Sequence, residues 1–388
     1  MAVPLSYSIR NLAARRVTTI FTAGGMALVV FVFAATLMLA EGLRQTLVAT
    51  GSPRNVLFLR QGAEAEIQSS VSRDEAATVS AFPEIATDTA GTPLVSNELV
   101  VLMTLPRKDT GAVSNVVIRG TNANSLAIRP DIRITSGRTP APGKYEIMVG
   151  NSIAKRFRGT AMGNMLRFGN RNWLVVGHFD AGNTGFASEI WGDIDQLMQA
   201  FRRNAYSLVA ARLADTANLE TIEKRIAADP RLTLDAVRET VFYEKQSEMM
   251  ADFLRVLGIS LTIIFSLGAM IGAMITMYSS VASRTAEIGT LRALGFTRKA
   301  ILTAFLMESV FLGVLGGLGG LIGASLLNFL TFSTTNFQTF SDLSFQFALT
   351  PAIATSSMIF AVTMGIVGGF LPAIQAARMG IVDALRQS

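Results

Sequence analysis

The chain has no cysteine and one histidine, His178, among its 388 residues. Without thiols there is no disulfide framework and no thiolate metal site. A lone imidazole in the strand-like run WLVVGHFD reads as a structural side chain, not half of a catalytic pair. Charge is scarce as well, at 16% of residues, where ordinary soluble domains carry about 25%. A phosphate loop is also lacking. The nearest approach, GRTPAPGK at residues 137–144, has five residues between its glycines, and Tyr145 stands where a Ser or Thr would hold Mg²⁺.

Apolar residues, by contrast, make up 50% of the chain and are gathered into long runs. Crossing a bilayer takes about 20 such residues, which predicts membrane spans at 17–40, 253–281, 301–330 and 351–372. Arg10, Arg15 and Arg16 precede the first span and hold that end inside. The same rule places the 282–300 segment and the 373–388 tail inside, and the short 331–350 loop, whose single charge is Asp342, outside. The net charge of +6 is therefore a topology signal, and no nucleic-acid partner is expected.

Residues 41–252 are too many for a loop and predict an extracytoplasmic domain. Its β-rich runs at 55–59, 98–105, 116–119, 145–149, 173–179, 207–213 and 232–237 are bounded by Gly, Pro or Asn. Ser72 with Glu75 forms a capping box, and helices are expected at 193–204 and 216–228, with another opening at Asn151 and closing near Gly159. Residues 165–168 and 173–179 flank a four-residue hairpin loop, 169–172. The expected fold class is an α-helical membrane protein with four transmembrane helices plus an α+β extracytoplasmic domain of two small lobes. Helical extensions at 43–48 and 241–252 would carry that domain as a stalk.

Chemistry is concentrated in the 282–300 segment, a polar, basic, helix-forming stretch between two apolar runs. Ile288, Leu291 and Leu294 supply apolar contacts, Arg284, Glu287 and Arg292 keep it out of lipid, and Gly295 offers a left-handed helix stop. In the third span, Gly313/Gly317, Gly316/Gly320 and Gly319/Gly323 form overlapping small-xxx-small pairs for close helix packing, within one chain or across a dimer. Glu308 is the one acid well inside an apolar run. With no second intramembrane acid or imidazole to relay a proton, it is expected to make an interhelical hydrogen bond or a salt bridge to Arg298 or Lys299.

These features together resemble a family. One large outer domain after the first span, three spans beyond it and the phrase SRTAEIGTLRALGFTRKAIL are similar to the permease subunits of MacB/FtsX-type (type VII) ABC transporters. Arg284, Glu287, Ile288, Gly289, Leu291, Arg292, Ala293, Leu294 and Gly295 stand at the positions of that family's cytoplasmic motif. SIRNLAARRVTTIFTAGGMAL at 8–28 resembles its amphipathic N-terminal helix, and LPAIQAARMGIVDALR at 371–386 its terminal segment. IRGTN, SGRTPAPGKYEIMVGNSIAKRF and WLVVGHF resemble the MacB-like periplasmic core.

The resemblance implies a permease without a fused ATPase, located in the bacterial inner membrane with both termini cytoplasmic. It would form a homodimer or a heterodimer with a related permease, bound to a cytoplasmic ABC ATPase dimer. No cofactor is expected on this chain, since ATP and Mg²⁺ would sit on the partner. Arg284, Glu287, Ile288, Leu291, Arg292, Leu294 and Gly295 are the expected ATPase-coupling residues, and Gly313, Gly316, Gly317, Gly320 and Gly323 the packing residues. A periplasmic adaptor or a lipoprotein is a further possible partner, and membrane lipid a constant one. Mechanotransmission for export or extraction is the implied function. A LolC/LolE-like lipoprotein-releasing subunit and an FtsX-like scaffold for a cell-wall hydrolase are the alternatives.

Overall fold

The computed structural model describes residues 16–214, 219–335 and 340–380. The amphipathic N-terminal segment before Arg16 and the end of the terminal segment after Gly380 lie outside these residues. In chain order the elements begin α1 (Arg16–Thr50), β1 (Asn55–Arg60), α2 (Arg73–Ser80), β2 (Val95–Pro106), β3 (Val113–Thr121), α3 (Ser125–Ile128), β4 (Arg133–Gly137) and β5 (Glu146–Gly150). They continue with α4 (Asn151–Arg156), β6 (Met165–Phe168), β7 (Arg171–Asp180), β8 (Glu189–Asp193), α5 (Ile194–Ala200), β9 (Leu208–Arg212), α6 (Leu219–Ala228) and β10 (Leu234–Arg238). The remainder is α7 (Glu239–Ala282), α8 (Thr285–Ala293), α9 (Arg298–Ser325), β11 (Thr331–Thr335), β12 (Asp342–Gln346) and α10 (Pro351–Arg378).

Two compact units result. The helical unit comprises residues 1–41, 252–330 and 347–388, and the α/β unit residues 42–251 and 331–346. The chain therefore leaves each unit and returns to it.

In the helical unit, α1, α7, α9 and α10 are long and apolar enough to cross a membrane. Their ends follow local chemistry. The Thr297 hydroxyl accepts from Ala300 N and opens α9, and Thr350 does the same for Ile353 N ahead of Pro351 at the start of α10. The fourth span was expected to stop at Pro372, but α10 runs through it to Arg378. Neighbouring helices can tolerate the missing N–H in an apolar setting, and Pro372 is buried there. Large apolar side chains along α7, from Phe253 to Ile275, face outward, as lipid requires.

The α/β unit is built on one ten-stranded sheet of order β10-β1-β9-β2-β3-β8-β5-β7-β4, with β6 added on β7. Two cores lie along it, one around Val56, Phe58, Val79 and Ile222 and the other around Ile118, Val149, Trp173 and Ile190. These are the two lobes, joined by β2: residues Val95 to Glu98 pair with β9, and Leu99 to Pro106 with β3. Glu98 is the last residue of the first pairing. The capping box at Ser72 and Glu75 is present and opens α2.

Several local expectations are corrected. The 169–172 hairpin loop is only two residues, Gly169 and Asn170, both at positive φ (56° and 57°), and Phe168 pairs directly with Arg171. Two positive φ values make a type I′ turn, whose twist matches the strands. The helix opening at Asn151 ends at Arg156, and α5 ends at Ala200, both short of the expected limits. Strands β4 and β8 were not anticipated. The 331–350 loop is corrected most: it contains the β11–β12 hairpin, which belongs to the α/β unit.

Within the α/β unit, the end of α1 and the start of α7 meet. A Cβ on Gly51 would lie 2.5 Å from the Glu239 backbone, so only glycine permits this approach. Ser52 N and Asn55 Nδ2 donate to Glu239 Oε2 at 3.0 and 2.8 Å. Arg44 and Glu244 stand 3.8 Å apart on the exposed side.

Candidate functional site

The motif segment of the helical unit folds as α8, set off from α7 by a turn at Ser283 and Arg284. Its end is a Schellman motif: Gly295, at φ +92°, donates its N–H to Arg292 O at 3.1 Å, and Phe296 N donates to Leu291 O at 3.1 Å. The left-handed residue reverses the chain without strain and releases it into α9.

The helix has two distinct faces. Arg284, Ile288 and Gly289 are buried, with Ile288 packed in a core that includes Met26, Met277, Val281, Ile301 and Phe305. Leu294, at 68% exposure, and Glu287 point outward, while Leu291 and Arg292 are half-buried. The seven expected coupling residues therefore divide by position. Arg284 and Ile288 hold the helix from inside, and Glu287, Leu291 and Leu294 line the accessible side.

Arg284 is the centre of that hold. Its Nη1 donates to Glu308 Oε2 at 3.0 Å, its Nε to Glu287 Oε2 at 3.1 Å, and its guanidinium lies 5.0 Å from the Phe305 ring centroid. Of the two expectations for Glu308, the interhelical hydrogen bond is present, made with Arg284, and it replaces the salt bridge to Arg298 or Lys299. Glu308 points into the bundle, where Arg284 is buried, whereas Arg298 and Lys299 are exposed. A bidentate-capable guanidinium on a buried carboxylate offsets the large cost of desolvating either alone.

The glycines of α9 serve two different neighbours. Cβ atoms on Gly313 and Gly317 would lie 2.6 Å from Ala361 O and 2.9 Å from Ala361 Cβ on α10. On the other side, Gly316 and Gly320 would meet Met26 Cβ and Ala27 O of α1 at 2.7 Å, and Gly323 would meet Phe31 at 3.3 Å. Both seams lie within one chain. Close backbone approach without Cβ atoms supplies the packing that lipid does not drive.

The α/β unit holds a second constellation that was not anticipated from sequence. Arg119 on β3 is 1% exposed and donates to three carboxylates: Glu189 through Nε and Nη2 at 2.8 Å each, Glu66 at 2.9 and 3.0 Å, and Glu98 at 2.8 Å. Arg129 bonds Glu98 and, at 2.9 Å, Glu239, the first residue of α7. Phe186 lies against both guanidiniums, 5.2 Å from Arg119 and 4.7 Å from Arg129. The cluster joins the lobe junction at Glu98 to the start of α7 at Glu239.

Four carboxylates against two guanidiniums leave this buried site acid-rich. Burial pushes the Glu98 carboxyl up, but the charges of Arg129 and Arg119 outweigh it and leave Glu98 below the usual carboxylate value. Glu189 lies above the usual value, because burial and the Glu66 charge together exceed the pull of Arg119. The signal in the sequence was a lone charge inside each apolar run, Glu98 in ELVVLM and Arg119 in VVIRG. Spacing gave no hint of their convergence.

The remaining candidates are structural. His178 Nε2 lies 2.8 Å from Thr160 O. In GRTPAPGK, Arg138 grips Glu146 and holds its carboxyl down to about 2, and Ala141 N donates to the same carboxylate, so the backbone donor a phosphate would need is taken. No group of residues with metal-ligand chemistry occurs among the described residues.

Four helices long and apolar enough to cross a membrane, with a mixed α/β unit, define an α-helical membrane protein with an extracytoplasmic domain. The sequence profile of the MacB-like periplasmic core domain matches residues 19–229, and that of the FtsX-like permease C-terminal region residues 259–381. The chain belongs to the MacB/FtsX family of ABC transporter permeases. The ABC transporter permease YknZ of Bacillus subtilis (strain 168) is 27% identical over 296 residues, 72% of this chain and 71% of YknZ. The macrolide export ATP-binding/permease protein MacB of Neisseria gonorrhoeae is 27% identical over 241 residues, 58% of this chain and 35% of MacB. This chain thus spans about a third of that relative's length. The periplasmic region of MacB from Actinobacillus actinomycetemcomitans superposes with a TM-score of 0.38 at 10% identity, covering 52% of this chain and 95% of that one.

Proposed function

We propose that this permease couples ATP hydrolysis on a separate cytoplasmic ATPase to movement of its extracytoplasmic domain. Its work is export or extraction of a substrate from the periplasm or the outer leaflet. The observation that carries this reading is the two-faced helix α8: fastened inside the bundle through Arg284 and Ile288, it presents Glu287, Leu291 and Leu294 outward. A helix held this way can receive a push without being displaced from its spans. The charge bias of the 282–300 segment supports a cytoplasmic location for α8, with both termini on the same side of the inner membrane.

In this reading ATP and Mg²⁺ belong to the ATPase dimer, and two permeases, identical or related, stand on it. Motion entering at α8 would reach the outer domain through α1 and α7, which continue as helices to Thr50 and from Glu239. The name of the MacB relative, a macrolide export protein, supports export as the direction of work.

Copurification with the ATPase, followed by hydrolysis in nanodiscs, tests the reading. Leu294→Arg should weaken association on the order of tenfold or more, the effect of losing an interfacial anchor. Wild-type association unchanged by Leu291→Ser/Leu294→Arg would sink it.

A further inference from the structure

We infer that the β11–β12 hairpin is a strap giving the third and fourth spans their own hold on the outer domain, with Asp342 as the positioning residue that fastens it. The inference rests on the coupling reading above and adds a second mechanical route to it. Residues 331–350 separate two helices that already pack closely along Gly313, Gly317 and Gly365. Such neighbours need a connection of only about 2–8 residues. The excess length is folded and committed to the α/β unit.

The attachment is chemically specific. Asp342 is the sole charged residue in the segment and is 4% exposed. Arg107 Nη1 donates to its Oδ2 at 3.0 Å, and Arg156 Nη1 donates to its Oδ1. Arg107 also donates from Nη2 to Ser333 Oγ at 3.2 Å, so one guanidinium grips both strands of the hairpin. Asn115 Nδ2 donates to Phe340 O at 3.0 Å, and Ser344 N to Ser188 Oγ at 3.2 Å. Leu343 and Phe345 are buried beneath these bonds.

The two arginines come from separate elements that are themselves fixed. Arg107 follows β2 and forms a backbone bridge with Phe157, and Arg156 ends α4, with its guanidinium 5.6 Å from the Phe157 ring centroid. The buried Asp342 carboxylate between two placed guanidiniums, one of which also stands 3.5 Å from the exposed Asp109, makes charge-assisted bonds that are partly desolvated, and these are stronger than exposed pairs. By chain order the strap continues into α9 at one end and α10 at the other. A shift of that helix pair would therefore pull on Arg107 and Arg156 without passing through the stalk.

The absence of cysteine makes the test clean. In the full permease with its ATPase in nanodiscs, spin labels at Thr110→Cys and Thr335→Cys, both exposed, report strap closure by distance. Hydrogen exchange of the outer domain with and without nucleotide reports its movement. The near-isosteric Asp342→Asn should broaden the label distance and reduce the nucleotide-dependent exchange change at least twofold, with hydrolysis kept within twofold of wild type. Asp342→Glu should restore part of the response, which a general loss of folding would not allow. An Asp342→Asn strap that stays closed overturns the inference, as does an open strap with an unaltered response. If the wild type shows no nucleotide response, the coupling reading falls and takes the strap's role with it. The label distance in wild type and Asp342→Asn would then still separate that failure from a failure of the attachment.

Discussion

Arg284 and Glu308 meet at 3.0 Å inside the helical bundle, one at the head of α8 and the other ten residues into α9. Neither is solvated enough to stand alone, since both side chains are 7% exposed. Removing one partner takes a counter-charge from the other in a buried setting. Arg284→Ala or Glu308→Ala should therefore destabilise the helical unit by about 3–5 kcal/mol, read as a lower unfolding temperature in detergent. Replacing both by methionine should recover most of the loss, because a packed apolar pair costs little. Single variants no worse than ordinary surface substitutions, within about 0.5 kcal/mol, would show that the pair does not anchor α8.

The glycine seams make a graded prediction. Gly320→Ala places a Cβ 2.7 Å from Ala27 O and 2.8 Å from Val30 Cβ, and Gly313→Ala one 2.6 Å from Ala361 O. Backbone oxygens cannot move aside as a flexible side chain can. Gly319→Ala, whose nearest neighbour would be Ala27 Cβ at 3.4 Å, meets ordinary contact. The first two should cost roughly 1–3 kcal/mol by overpacking, and the third should be near neutral. Equal unfolding temperatures for all three variants would remove the intrachain seam as the reason for these glycines.

What could be read in the sequence followed from local chemistry. Apolar run length marked the four spans, the Ser72–Glu75 pair marked a helix start, and Gly295 marked a helix end. What could not be read depended on long-range closure. For Glu308 an interhelical hydrogen bond was legible as one of two alternatives, but not its donor, Arg284, 24 residues away across a turn. The strand at 342–346 is short, with alternation confined to Leu343, Ser344 and Phe345, and the arginines that fasten it, Arg107 and Arg156, are far off in the chain. Strand β8 is short and buried along nearly its whole length, so period-two alternation was absent.

Arg129 carries the next prediction. It is the cation shared by Glu98, where β2 passes between lobes, and Glu239, where α7 begins, and both carboxylates are fully buried. Arg129→Met would leave two acids with one fewer counter-charge in a buried site. The expected cost is about 3–5 kcal/mol, or a fall in unfolding temperature of roughly 10 °C for a unit of this size. Arg129→Lys should recover only part, since a point charge cannot serve two carboxylates with a planar fork. A variant as stable as wild type would mean that the lobe junction and stalk head are joined by packing alone.

The opposed shifts of Glu98 and Glu189 give the cluster a testable pH signature. Glu98, held below the ordinary carboxylate value, contributes stability that is present above that value and is lost as pH falls through its folded value. Glu189, held above it, binds its proton more readily folded than unfolded. Its contribution is present below the ordinary value and is lost as pH rises through the folded one. Glutamine mimics the neutral acid at either position. Glu98→Gln should therefore destabilise the outer domain most at neutral pH, with the deficit shrinking in acid. Glu189→Gln should gain on wild type as pH rises from acid to neutral. Unfolding temperatures of the full-length protein across that range, for both variants and wild type, check the two slopes together. Parallel slopes would mean that the excess acid of the cluster is not divided between these two carboxylates.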